Sequence, residues 1–109
     1  MELSGYRFMW LLAMFDLPVD TKRSRRAYAQ FRKTLLKDGF TMMQYSVYIR
    51  HCASRENTDV HMQRVQTALP DAGEVRILAI TDKQFERMEV FWGKRRKPPE
   101  PPPAQLELF

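Results

Sequence analysis

The chain has 109 residues, of which 44% are hydrophobic, 28% charged and only 4 glycine. That composition suits one soluble domain with a single core and excludes a chain built of two domains. The lone Cys52 excludes an internal disulfide and fits a reducing, cytoplasmic setting, while a net charge of +5, from 18 Lys and Arg against 13 Asp and Glu, is compatible with a polyanionic partner.

The first apolar run, Phe8–Phe15, is far shorter than the ~20 residues that cross a bilayer. Asp16 and Pro18 follow it directly, where an export signal would carry small residues. The run therefore reads as a central strand buried on both faces, with no signal peptide and no membrane partner. A helix follows from about Thr21 to Lys37, capped by Asp20 or Thr21. Its apolar stripe is Ala27, Tyr28, Phe31 and Leu35, and steps of ~100° per residue place its cations around the other side. Between Thr21 and Lys37 there are seven of them (Lys22, Arg23, Arg25, Arg26, Arg32, Lys33 and Lys37) and no acid. Gly39 reads as the residue that closes this helix.

From Phe40 to Arg50 the pattern alternates, with Met43, Tyr45, Val47 and Ile49 on one side and Met42, Gln44, Ser46, Tyr48 and Arg50 on the other. Tyr45 and Tyr48 could each stack on a base, yet the first set is the more apolar, so Tyr45 reads as core. Glu56–Leu69 reads as a second helix packing through Thr58, Met62, Val65 and Leu69, ended by Pro70-Asp71-Ala72-Gly73. Glu74–Thr81 is the next strand, Thr81–Gln84 resembles a capping box over one helical turn, and Met88–Trp92 reads as a final short strand. A ferredoxin-like βαββαβ order needs one strand more. Phe40–Arg50 supplies it as a bent hairpin that splits near Gln44 to Ser46.

From Gly93 the chain changes character. Lys94-Arg95-Arg96-Lys97 is a basic knot, and five of the seven prolines follow at 98, 99, 101, 102 and 103. The expected division is a domain over residues 1–92 and a basic, proline-rich tail over 93–109, extended and near polyproline II. Its tip carries Leu106, Leu108 and Phe109, which can add to a partner as a strand or plug.

Four features together resemble the CRISPR-associated protein two family, the small partner of the CRISPR integrase. They are the apolar first strand ending in Asp16-Leu17-Pro18, the basic first helix, Gln44-Tyr45-Ser46-Val47-Tyr48, and the late strand closing a chain of this length. The match runs from about Phe8 to Trp92. The resemblance implies an α+β, ferredoxin-like sandwich and a homodimer, with the last strand, Met88–Trp92, exchanged or added across the two subunits. It also implies a heterocomplex in which the dimer bridges integrase dimers and holds the DNA that becomes a spacer. Some members are described as magnesium-dependent endonucleases on RNA or DNA, so a stand-alone endoribonuclease is the alternative function.

Each candidate residue has a plainer reading beside the functional one. Asp16 is the position the resemblance assigns to catalysis and metal binding. Mg²⁺ prefers hard oxygen ligands, and a twofold axis would bring a second Asp16 to the same ion; on spacing alone Asp16 reads equally as an Asx-turn before Pro18. Lys22, Arg23, Arg25, Arg26, Arg32 and Lys33 read as a phosphate-binding face or as solvated surface. Ser46, with Gln44, matches a polar pair of the family and can bond a phosphate or the metal's waters, or simply face solvent. Arg76 is a further cation on a later strand. His51, Cys52 and His61 match no standard zinc spacing. An RNA-recognition module of the same fold is disfavoured, because Glu74–Ile80 lacks the stacking aromatics such modules use.

Overall fold

The computed structural model describes residues 9–98. Its first strand, β1 (Met9–Asp16), lies in the middle of a four-stranded antiparallel sheet, which explains its lack of alternation: a strand with neighbours on both edges and cover on both faces needs apolar residues throughout. Leu11, Ala13 and Phe15 point to one face and join the main core with Phe31, Leu35, Phe40, Tyr48, Cys52 and Val65. Phe15 anchors it, edge-on to Phe31 at 5.1 Å and stacked with Tyr48 at 5.6 Å. Each large side chain fully removed from water there contributes about 1.5–3 kcal/mol.

The remaining elements are α1 (Lys22–Lys37), β2 (Thr41–Gln44), β3 (Val47–Cys52), α2 (Arg55–Thr67), β4 (Glu74–Thr81), the single-turn α3 (Asp82–Glu86), β5 (Phe91–Trp92) and β6 (Arg95–Arg96). The sheet order β2-β3-β1-β4, with α1 and α2 following β1 and β3, is the ferredoxin-like βαββαβ arrangement in an α+β fold. The expected split of Phe40–Arg50 falls between β2 and β3. Gln44 pairs with Val47, the two-residue turn is Tyr45-Ser46, and a bulge interrupts the ladder between Met42 and Gln44.

That turn corrects the side-chain assignment. Tyr48 is 1% exposed, whereas Tyr45 is 77% exposed, because Tyr45 sits in the turn and takes no part in strand alternation. A second correction concerns α2, whose buried residues are Thr58, His61 and Val65, while Leu69 lies beyond the helix and is exposed. Thr21 is the cap of α1, accepting from the Ser24 amide at 3.0 Å while Ser24 Oγ accepts from the Thr21 amide at 2.9 Å.

The other face of the sheet carries Trp10, Leu12, Met14, Ile49 and Leu78. Here cover is uneven. Trp10 stacks on Phe85 of α3 at 4.4 Å, but Leu78 is exposed and Met14, Val47 and Ile49 are only half-buried. The terminal strand is shorter than Met88–Trp92 and pairs within its own chain: Phe91 opposes Arg96 and Trp92 opposes Arg95. The chain thus turns back at Gly93-Lys94, and Arg95–Arg96, just past residue 92, form the second strand of a hairpin. Among the described residues no helix is long and apolar enough to cross a membrane. Leu106, Leu108 and Phe109 lie outside the described residues.

Candidate nucleic-acid interface

Asp16 ends β1, where the chain leaves the sheet. It is exposed, and among the described residues no hydrogen bond or ion pair engages its carboxylate. Strand alternation sets it on the face of Met14, away from the helices. Its backbone is held from two sides. Phe15 N donates to Ser46 O at 3.0 Å, and the turn before β4 presses in at Gly73, where a Cβ would lie 2.6 Å from Leu17 Cδ2 and 2.9 Å from Asp16 O. Gly73 also has φ +97°, so both space and conformation demand glycine there. A free hard-oxygen donor on a rigid strand end fits Mg²⁺, which keeps most of its waters and takes one or two carboxylates. Across the ladder Asp16 pairs with Glu74, but Glu74 is bound to Arg76 at 3.0 Å.

The cations of α1 are all solvent-accessible. Lys22, Arg23, Arg25, Arg26, Arg32, Lys33 and Lys37 are exposed, and none meets a carboxylate among the described residues. Two are oriented by neutral groups: Arg25 donates to Val19 O at 3.1 Å, and Arg32 Nε donates to Tyr48 Oη at 2.6 Å. The first turn of α1 contains no acid, so these charges add to the positive end of the helix dipole instead of offsetting it, which favours an anion at this surface.

Ser46 is half-buried with φ +63°, and its Oγ lies 3.1 Å from Tyr28 Oη. The sequence placed Tyr28 only in a packing stripe. In the fold it bridges α1 to the hairpin turn, touching Phe15 edge-on at 5.8 Å and stacking with Tyr45 at 6.4 Å. The neighbouring Tyr28 hydroxyl pushes the Tyr45 phenol above its usual pKa. Arg76 is exposed on β4 and Gln44 on β2.

The residues that invited a zinc reading are engaged separately. His61 Nδ1 lies 2.8 Å from Asp38 Oδ2, His51 Nε2 lies 3.3 Å from Asp82 Oδ1, and Cys52 is buried, which pushes its thiol pKa up. The Asp38 cluster was missed entirely. Burial alone would raise the Asp38 carboxyl, but hydrogen bonds and charge from Arg64 and His61 outweigh it and hold it below its ordinary value. No local pattern foretells this, since its members are 23 and 26 residues apart.

Comparison with known proteins gives a consistent result. The family model described as CRISPR associated protein Cas2 matches residues 9–88. The chain is similar to a protein of Parvibaculum lavamentivorans named CRISPR-associated endoribonuclease Cas2, 61% identical over 93% of this chain and 100% of the relative. A protein of the same name from Flavobacterium psychrophilum is 50% identical, over 99% of this chain and 94% of its own length. One from Paracidovorax avenae is 49% identical, over 98% and 99%.

Proposed function

The chain belongs to the CRISPR-associated Cas2 family, and from that premise we propose that it is a cytoplasmic, homodimeric subunit of the CRISPR spacer-acquisition complex, bridging integrase dimers and gripping the incoming DNA by its phosphates. The observation that carries this reading is α1, with seven solvent-accessible cations and no acid within the helix to neutralise them. Phosphate contacts of this kind position a duplex without reading its sequence. The uneven cover of the second sheet face supports the dimer: Leu78, Met14, Val47 and Ile49 form an apolar surface that a second copy would bury, and Asp16 projects from that same face. The resemblance adds a terminal strand passed between subunits, for which Phe91–Trp92 is the candidate.

A second reading is favoured by Asp16 itself. Its unengaged carboxylate, paired with its copy across the dimer, would hold Mg²⁺, and the relatives carry the name endoribonuclease. A bound Mg²⁺ would lower the pKa of an attacking water and brace the phosphate. Within this chain, Asp16 would hold the ion, Ser46 Oγ would bond a phosphate oxygen, and Arg25 and Arg32 would position the strand.

Asp16→Ala separates the two. Cleavage of single-stranded RNA in Mg²⁺ should fall on the order of 100-fold or more, while the dimer, its affinity for duplex DNA and spacer acquisition in cells should persist. Loss of acquisition with the dimer and integrase complex intact would assign Asp16 a role in acquisition itself. A protein that stays monomeric and ignores duplex DNA would rule out the scaffold.

A further inference from the structure

Tyr45 has the form of a binding residue and none of the form of a core residue. It is 77% exposed at the tip of the β2–β3 hairpin, yet its ring is held, stacked on Tyr28 at 6.4 Å with 23° between the planes. Tyr28 is itself braced by the Ser46 hydroxyl and the edge of Phe15, and the turn is tied to β1 by the Phe15–Ser46 backbone bond. A lone exposed aromatic needs no explanation. One that is oriented in advance loses little freedom on contact with a partner, and that is where flat, sequence-tolerant recognition gains.

Its surroundings identify the partner. Arg25 and Arg32 lie three residues before and four after Tyr28, which places both on the flank of α1 beside the ring pair. Arg32 uses one of its five N–H groups on Tyr48 Oη and has the rest available. Asp16 ends β1 at this same end of the sheet, on the opposite face. An aromatic face between guanidinium groups is chemistry matched to a nucleobase beside its phosphates, and a base can present its face only when it is unpaired.

We propose that Tyr45, braced by Tyr28, is a stacking platform for one unpaired nucleobase of a strand whose phosphates pass Arg25 and Arg32. This rests on the reading of α1 as a nucleic-acid surface and adds selectivity to it. Duplex DNA is held by phosphates alone, whereas a single strand, or a frayed end, gains the stack. Ribose and deoxyribose strands share that chemistry.

The test measures binding of full-length protein to a labelled single-stranded RNA, a single-stranded DNA of the same sequence and the blunt duplex, each over a series of salt concentrations. Tyr45→Ala should weaken whichever single strands bind by about tenfold and leave the duplex within about twofold. The salt slope should stay unchanged, since stacking releases no counterions. Tyr45→Phe should retain wild-type affinity, and Tyr45→Trp should bind with fluorescence quenched by single strands and not by duplex. Equal losses on single strand and duplex, no loss at all, or a Tyr45→Phe variant as weak as Tyr45→Ala would each overturn the platform. If wild-type protein binds none of the three probes, the reading of α1 fails instead, and the platform with it.

Discussion

The two long helices do the same job on the inside and opposite jobs on the outside. α1 buries Phe31 and Leu35 against the sheet, and α2 buries Thr58, His61 and Val65 against the same face. Outwardly, α2 mostly complements its dipole, although Arg55 opens it. Glu56 lies in its first turn and Arg64 in its last, each complementing the dipole, and Arg64 is paired with Asp38 at 2.8 Å. α1 complements its dipole only at Lys37, in its last turn; it opens with Lys22 and Arg23 and no acid, and pairs none of its cations with a carboxylate among the described residues. A misplaced charge at a helix end costs about 0.3–1 kcal/mol. The charge on α1 is therefore not there to stabilise the fold; in the function proposed above, a polyanion would turn it into a gain.

The comparison is tested most severely by matched charge changes. Arg25, Arg26 and Lys33 changed together to Gln remove three positive charges from α1; Asn57, Gln63 and Gln66 changed to Glu shift the charge of α2 equally. If α1 is the phosphate surface, the first variant loses about 10²–10³ in duplex affinity near 0.1 M salt and about three from the salt slope. The second should lose far less. Equal losses from both would mean that net charge alone, and no particular surface, draws the DNA.

A smaller effect is expected where the helices join. Asp38, at the C-terminal cap of α1, accepts from Arg64 and pairs with His61, while Arg50 Nε donates to its carbonyl at 2.8 Å. Asp38→Ala leaves the buried His61 ring nitrogen without its partner and should cost about 1–3 kcal/mol in urea unfolding. Because the folded carboxyl titrates below its ordinary value, its contribution is present above about pH 4 and lost as pH falls through the folded value. The stability gap between wild type and Asp38→Ala should therefore narrow in acid; a constant gap would show that the carboxylate's charge is not what matters.

The smallest effect is the most pointed. Lys22→Glu or Arg23→Glu puts an acid into the first turn of α1 and should raise stability by about 0.3–1 kcal/mol while weakening DNA binding. A variant that gains neither stability nor weakness would remove the idea that α1 trades one for the other.

Much of this was legible from residue order. The buried β1, the basic face of α1, the Gly39 closure and the split near Ser46 all follow from patterns within a dozen residues. The interface is half legible: Asp16 and the cations are visible in the sequence, Tyr45 offers both a stacking and a core reading there, and Tyr28 shows only as a packing residue. Alternation was extended through a turn that ends it, so Tyr45 was placed inside and Tyr48 given no place in the core. The α2 face reads from periodicity as Thr58, Met62, Val65 and Leu69, which leaves out His61. The fold supplies His61 with a partly buried carboxylate, which makes a polar residue tolerable there.

What amino-acid order determined by itself was the element sequence, the separation of charged from apolar faces and an acid at a strand end, since each depends on local periodicity. Tertiary structure alone decided that Tyr45 faces solvent over Tyr28, that Asp38 gathers His61 and Arg64, and that one face of the sheet stays partly uncovered. These depend on where a ladder breaks and on which distant segments meet, and neither is encoded in any short window of the chain.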